Sequence, residues 1–386
     1  MKVKIIRLLS ALTVLALVFS LVACGGGGGG GKKGEAEAKS ESLMFTETDR
    51  SDVINWYGRC YHYEDTAEVA FNLGASGFEV KFSGTKLTAS IKSSPSSKPE
   101  EVSGNTYLYV FTDGVSDYKN ATRIELNSDG NEHEVVLCEN LGSGEHTVKV
   151  LKATEAKYGT ARVSKITCNG KFLNPPTRPE LKIELIGDSI MSGSECMRAD
   201  RNQDSGLTVN ENALASYGYL GAGILANWQS MKADVTVVSQ SGLTVSGGNE
   251  TKYPNISDFY DNYSPVDDAA WDFTEFVPDF VVVDLGTNDS LIGTSSAVIK
   301  SYYTDFLRHV RGKYPNAAII CCYGAMVTSV NSLVNEMVAE LGDDNVYTLN
   351  LPKITAGGHP IESEHNSNGI RLAGFINSTF FNSDED

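Results

Sequence analysis

The sequence predicts a chain in two parts: an all-β sandwich of jelly-roll type, then an α/β domain built on a parallel sheet with helices on both faces. Three observations predict it. From Phe45 to about Leu173, short alternating or β-branched runs are punctuated by Gly, Asn, Asp and Ser clusters, and no helical period stands out. At Asn174–Glu180, "NPPTRPE" sets three prolines into a stiff linker. From Leu181 onward, apolar runs alternate with longer helical patterns.

In the first part the strand candidates are "VAFNL", "FEVKFSG", "KLTASI", "TYLYVFTDG", "HEVVLCENL", "HTVKVLKA" and "RVSKITCNG". In the second, "LKIELIG" (181–187), "DVTVVSQ" (234–240), "DFVVVDLG" (279–286), "AAIICCYG" (317–324) and "VYTLNL" (346–351) read as buried parallel strands. Helices are expected at 213–228, with Leu214, Tyr217, Leu220, Ile224 and Trp228 on one face, then at 297–314, at 332–342 and around 368–379. The expected domains are residues 43–175 and 180–386.

What precedes residue 43 has a different character. Lys2, Lys4 and Arg7 lead into the uncharged apolar stretch Leu8–Val22, the pattern of a secretory signal over residues 1–23. The stretch ends "LVAC", which looks like a lipobox with Cys24 as the lipidated first residue of the mature chain. The alternative is an ordinary signal with a chance cysteine. Seven glycines, Gly25–Gly31, and a charged polar tail make residues 24–42 a flexible tether. The expected location is the extracellular face of a bacterial membrane, held through Cys24.

The chain has 386 residues and a net charge of −17, with no cluster of Lys and Arg along the part after the leader. Nucleic acid is therefore not an expected partner, because binding it requires phosphate neutralisation. Besides Cys24 there are Cys60, Cys138, Cys168, Cys196, Cys321 and Cys322, without metal-ligand spacing. No metal and no cofactor are expected. Cys321 and Cys322 read as small core residues, and a Cys138–Cys168 disulfide is left open.

In a parallel sheet the chemistry gathers at the carboxyl ends of the strands. Gly187-Asp188-Ser189 follows the first strand, Ser241-Gly242 the second, Gly286-Thr287-Asn288-Asp289 the third, and His359-Pro360 the last. Each alone is an ordinary turn. Together they supply what acyl transfer needs: a nucleophile (Ser189), a general base and acid (His359), and oxyanion donors. The donors offered are the backbone N–H of Ser189 at a helix start, the backbone N–H of Gly242 free of side-chain obstruction, and the side-chain amide of Asn288. Asp188 and Asp289 are expected to hold their loops through backbone N–H groups. His365 reads as structural, and Trp271, Tyr217 and Tyr323 as core residues before sugar platforms.

This order of motifs resembles the SGNH (GDSL-type) hydrolases, and more closely the carbohydrate esterase family 2 deacetylases. "WDFTEFVPDFVVVDLGTND" (271–289) is similar to that family's third block. "YGR" (57–59), "FSGTKL" (82–87) and "GEHTVKVLKATEA" (144–156) are similar to its N-terminal jelly roll. The resemblance implies a flavodoxin-like three-layer α/β fold after the jelly roll. It also implies removal of O-acetyl groups, with the 6-O position preferred, from acetylated oligo- or polysaccharides through an acetyl-serine intermediate. One departure stands out. These enzymes commonly carry an aspartate two or three residues before the histidine, and here those positions are Gly357 and Ala356. The expectation is a Ser189–His359 dyad with a main-chain acceptor near Gly357 or Gly358, Glu362 and Glu364 being weaker stand-ins. Two other functions fit the same residues: a general short-chain esterase or lipase, and a catalytically decayed glycan-binding lipoprotein.

Overall fold

The computed structural model describes residues 40–45, 50–96, 103–199, 206–248, 253–354 and 357–382. The signal, Cys24 and the glycine run lie outside the described residues. Among the described residues no helix is long and apolar enough to cross a membrane.

Twelve described strands build the first part: β1 (Glu41–Met44), β2 (Ile54–Tyr57), β3 (Tyr61–Tyr63), β4 (Glu68–Ala70), β5 (Gly77–Ser83), β6 (Leu87–Ser94), β7 (Tyr107–Thr112), β8 (Thr122–Glu125), β9 (Glu132–Cys138), β10 (Glu145–Lys152), β11 (Thr160–Cys168) and β12 (Lys171–Leu173). They form two antiparallel sheets, β3-β4-β11-β6-β9 with β1 on β11, and β12-β5-β10-β7-β8 with β2 on β5. Only the β3–β4 and β7–β8 connections stay within a sheet, so the chain crosses the sandwich repeatedly, as in a jelly roll. Alternation explains the pairing: β5 turns Phe78, Val80 and Phe82 inward, against Leu87, Ala89 and Ile91 of β6. β1 begins at Glu41, two residues inside the stretch read as tether, because it pairs with β11 from Cys168 back to Lys165.

The open disulfide does not form; both cysteines are free. Cys138 and Cys168 each face Leu87, from β9 and β11 on opposite sides of β6. Two strand spacings, about 9.5 Å, exceed the reach of a disulfide.

The second part carries β13 (Leu181–Gly187), β14 (Ala233–Ser239), a hairpin of β15 (Asn262–Ser264) and β16 (Asp267–Ala270), β17 (Phe280–Asp284), β18 (Ala318–Tyr323) and β19 (Val346–Asn350). Its helices are α1 (Tyr217–Trp228), α2 (Thr287–Leu291), α3 (Ser296–Lys313), α4 (Asn331–Leu341) and α5 (Glu362–Ile376). The sheet order is β14-β13-β17-β18-β19, all parallel, which is the flavodoxin-like order. Side chains alternate between two cores. Ile183, Leu185, Val282, Ile320 and Cys322 pack towards α1 and α5; Ile186, Val281, Val283, Ile319 and Cys321 pack towards α3 and α4. The adjacent cysteines are core residues, one on each face.

α1 departs from the expected face. Trp228 is 47% exposed, whereas Gly218, Gly221, Ala222 and Leu225 are buried. α1 and α5 approach so closely that a Cβ on Gly221 would lie 3.0 Å from Gly369 O, so small residues mark the contact and hydrophobicity does not.

Candidate active site

β13 and β17 are neighbours in the sheet but not in the chain, so the strand order reverses between them, and the loops after both open at that crevice. After Gly187 the chain makes one helical turn. Ser192 N–H donates to Asp188 O at 3.0 Å, and Ile190 N–H donates to the Asp188 carboxylate at 2.9 Å. No longer helix follows, contrary to the expected helix start at Ser189. Gly193 and Glu195 adopt φ of +66° and +60°, which helical geometry forbids. Ser189 stands at the top of this turn, 7% exposed. Among the described residues its backbone N–H, like that of Gly242, has no partner in the protein.

Gly242 follows β14. The expected reason for a glycine here was an unobstructed N–H, but a Cβ at this position would meet nothing within 4 Å. The reason is backbone conformation, φ +81°, which glycine alone adopts without strain. The same loop is pinned further on by Asp289, which accepts from Val245 N–H (3.0 Å), Ser246 N–H (3.1 Å) and Ser246 Oγ (2.5 Å). Asp188 thus holds its own loop as expected, whereas Asp289 holds the loop after β14 and not its own.

Asn288 lies in the first turn of α2, after Gly286. Its Nδ2 donates to Asp188 Oδ2 at 3.0 Å and to Leu243 O at 2.9 Å. Both amide hydrogens are therefore engaged, and they tie together the loops after β13, β14 and β17. Burial, and after it the neighbouring Asp284, pushes the Asp188 carboxyl well above the usual carboxylate range. Burial likewise pushes Asp284 up to about 7, and Asp284 accepts from Tyr217 Oη at 2.8 Å.

The expected main-chain acceptor for His359 is replaced by a carboxylate. His359 Nδ1 stands 3.0 Å from Glu195 Oε2. Arg198 Nη2 donates to the same oxygen at 2.6 Å. The bond to His359 holds the Glu195 carboxyl below its usual range, with charge from His359 and Arg198 adding to it. An ionised carboxylate only accepts, so Nδ1 carries the ring proton and Nε2 is the basic nitrogen. The two stand-ins are turned to other work. Glu362 accepts from Tyr118 Oη and from Lys119 Nζ (2.8 Å), and Glu364 caps its own helix through Ile361 N–H (2.9 Å). The dyad reading is thus corrected to a His–carboxylate pair. The partner comes from the Ser189 loop, six residues on, and not from the histidine loop. Glu195 meets the ring from a left-handed backbone conformation that costs a non-glycine residue on the order of 1 kcal/mol.

His359 is also tied to that loop from behind, since Glu362 N–H donates to Cys196 O at 2.9 Å. His365 is structural, as expected: fully buried, it accepts Tyr217 N–H at 3.0 Å, and burial pushes it down to about 3. Tyr217, Trp271 and Tyr323 are all buried, so none is an exposed platform.

Two further residues at this edge have no role assigned from the sequence. Glu155 and Lys157, from the connection between β10 and β11, reach across to the loop after β14. Glu155 Oε2 accepts from Ser241 N–H (2.5 Å) and Ser192 Oγ (3.0 Å), and Lys157 Nζ donates to Ser241 O (3.2 Å).

Comparison with known proteins finds likenesses to esterases over most of the chain. Residues 56–176 match the carbohydrate esterase 2 N-terminal family, and residues 185–362 match the GDSL-like lipase/acylhydrolase family. The cellulase/esterase CelE of Acetivibrio thermocellus is 31% identical over 326 residues, 81% of this chain but 37% of that protein, so this chain spans little more than a third of that relative. The acetylxylan esterase / glucomannan deacetylase of Cellvibrio japonicus is 28% identical over 322 residues, covering 79% of this chain and 83% of the relative. Among solved structures, a family two carbohydrate esterase from Clostridium thermocellum in complex with cellohexaose superposes with a TM-score of 0.72 at 28% identity, over 84% of this chain and 98% of that one.

Proposed function

This chain belongs to the family 2 carbohydrate esterases, with the family's N-terminal domain ahead of a GDSL-like hydrolase domain, and from that premise we propose that it removes O-acetyl groups from sugars or polysaccharides through an acetyl-Ser189 intermediate. Ser189 Oγ attacks the acetyl carbonyl carbon while His359 Nε2 takes its proton. The carbonyl oxygen becomes an oxyanion facing the N–H groups of Ser189 and Gly242. Asn288 Nδ2, read from the sequence as a third donor, spends its two hydrogens on Asp188 and Leu243 O and so holds together the loops that carry the other two. Collapse breaks the bond to the sugar oxygen, which leaves with the proton from His359. Water then attacks the acetyl-serine carbonyl, with His359 again as base and acid, and acetate departs.

The observation that carries this reading is the Glu195–His359 bond in the loop headed by Ser189. It fixes the tautomer and stabilises the imidazolium, which is the work of a third triad member. It supports a working enzyme over a decayed one. The resemblance to this family supports the finer reading of a preference for the primary 6-O position, and the apolar stretch ending at Leu21–Cys24 supports a lipid-anchored, extracellular protein held through Cys24. The test is acetate release from acetylated glucomannan and acetylated xylan by the chain and by Ser189→Ala. The intact chain releases acetate and Ser189→Ala loses at least about a thousandfold of that rate; no acetate from either substrate overturns the proposal. Rates that rise from acetyl to butyryl esters instead favour a general short-chain esterase.

A further inference from the structure

We infer that the N-terminal β domain sets the oxyanion hole, by clamping the Ser241–Gly242 peptide between Glu155 and Lys157; the inference rests on the esterase reading above. Ser241 C=O and Gly242 N–H belong to one planar trans peptide group and point in opposite directions. Whatever holds the carbonyl therefore aims the N–H. Lys157 Nζ holds it, at 3.2 Å, from the side away from the hole. Glu155 holds the preceding N–H, that of Ser241, at 2.5 Å. A flip of the Ser241–Gly242 peptide would turn a carbonyl into the hole and break the Lys157 bond. The ammonium also polarises the amide it binds, which strengthens Gly242 N–H as a donor.

The clamp is itself built rigidly. Lys152, Glu155 and Glu211 are all buried, at 0%, 1% and 2% exposed. Lys152 Nζ donates to Thr154 O (2.6 Å) and Glu155 O (3.0 Å), and Glu155 N–H donates to Glu211 Oε1 (2.6 Å). Ser192 Oγ links Glu155 Oε2 on to Ser239 Oγ (3.0 and 2.9 Å), and Ser194 Oγ meets Ser241 Oγ at 2.7 Å, so the clamp also reaches the Ser189 turn. Three ionisable groups in a dry seam are costly for stability, and burial pushes each towards its neutral form. Placement of one peptide at the reacting centre is what they secure. Glu155 and Lys157 act through Gly242 and touch no substrate in this scheme, so both are positioning residues.

The experiment compares Lys157→Met, Lys157→Arg, Glu155→Gln and Glu155→Ala in the full chain, on an aryl acetate and on acetylated glucomannan. A boronic acid that forms a tetrahedral adduct with the serine serves as inhibitor. Lys157→Met is expected to lower kcat about tenfold with KM unchanged, less than the hundredfold to thousandfold typical of deleting an oxyanion donor outright. Inhibition by the boronic acid weakens in step, since the adduct's oxygen occupies the same hole. Lys157→Arg, still a cationic donor, and Glu155→Gln, still an acceptor, recover most of the rate. Glu155→Ala falls at least as far as Lys157→Met where it folds. If Lys157→Met matches the parent in kcat and in boronic acid affinity, the clamp has no catalytic role. A parent chain that neither releases acetate nor binds the boronic acid defeats the esterase reading instead.

Discussion

Two buried carboxylates bridge the seam between the domains, and they do different work. Glu184, in the middle of β13, receives Arg59 from the β domain: Arg59 Nη2 lies 3.2 Å from its Oε1, and both side chains are fully buried. Tyr260 Oη (2.7 Å) and Tyr314 Oη (3.3 Å) donate to the same carboxylate, and Arg59 Nη1 donates to Tyr260 O and to Asn262 O (2.7 Å). The guanidinium is walled by Tyr260, Trp271 and Phe273, at 5.0, 5.3 and 5.4 Å from the ring centres. Glu155 makes the reverse crossing, from the β domain to Ser241. Its Oε2 takes an N–H and a hydroxyl, and burial raises its carboxyl above the usual range against the opposing charge of Lys157. The first joint lies below the strand ends. The second ends one peptide from the reacting centre. Burial alone therefore does not say what a charged side chain is for; the atom at the far end of its hydrogen bond does.

Breaking the lower joint gives the largest effect. Arg59→Ala strands Glu184 without its cation, and a buried charge left unpaired costs about 3–5 kcal/mol. Denaturant unfolding should show that loss, while the molecules still folded retain the parent kcat. A kcat that falls in parallel would make Arg59 part of the site. Next comes Glu195→Gln, which leaves both joints intact and removes the negative charge facing His359 Nδ1. Its carboxylate is already shared with Arg198, so the expected fall in kcat is about a hundredfold, or about 2.7 kcal/mol, below the loss of about ten-thousandfold seen when an unshared triad aspartate becomes an amide. Steady-state kinetics with KM little changed supports it; a rate within threefold of the parent would return the site to a dyad.

How far these roles were legible in the sequence follows the same division. The parallel sheet and the placing of Ser189, Gly242 and Asn288 in the loops at its strand ends could be read, because strand patterns and short motifs are local. Glu195 could not. Its role depends on a left-handed backbone in a loop without periodicity and on a histidine 164 residues away. A signal was there all the same: the loop that begins with Gly-Asp-Ser carries a glutamate soon after the nucleophile, and the expected aspartate was missing elsewhere. Glu155 and Lys157 lay in plain view within "KATEAK", but a lysine that aims a peptide leaves no pattern that composition or spacing can show. The buried face of α1 was misread for a related reason: a hydrophobic count ranks Trp228 above Gly221, and close helix packing ranks them the other way.

The smallest expected effect is the sharpest test of the comparison. Gly187 and Ser239, paired at the heads of β13 and β14, stand three rows beyond Glu184, about 10 Å along the strands, and Ser241 lies further on. Sites that far apart with no shared partner usually add within about 0.5 kcal/mol. The double variant Arg59→Ala with Lys157→Met should therefore lose the stability that Arg59→Ala loses, with whatever Lys157→Met costs simply added. Its kcat should drop by the same factor as in Lys157→Met alone. A kcat factor that changes more than about threefold in the Arg59→Ala background, roughly 0.65 kcal/mol, would mean that the seam acts as one lever. The β domain would then set the oxyanion peptide through its whole docking onto the sheet, and Lys157 would be only the last contact in that chain.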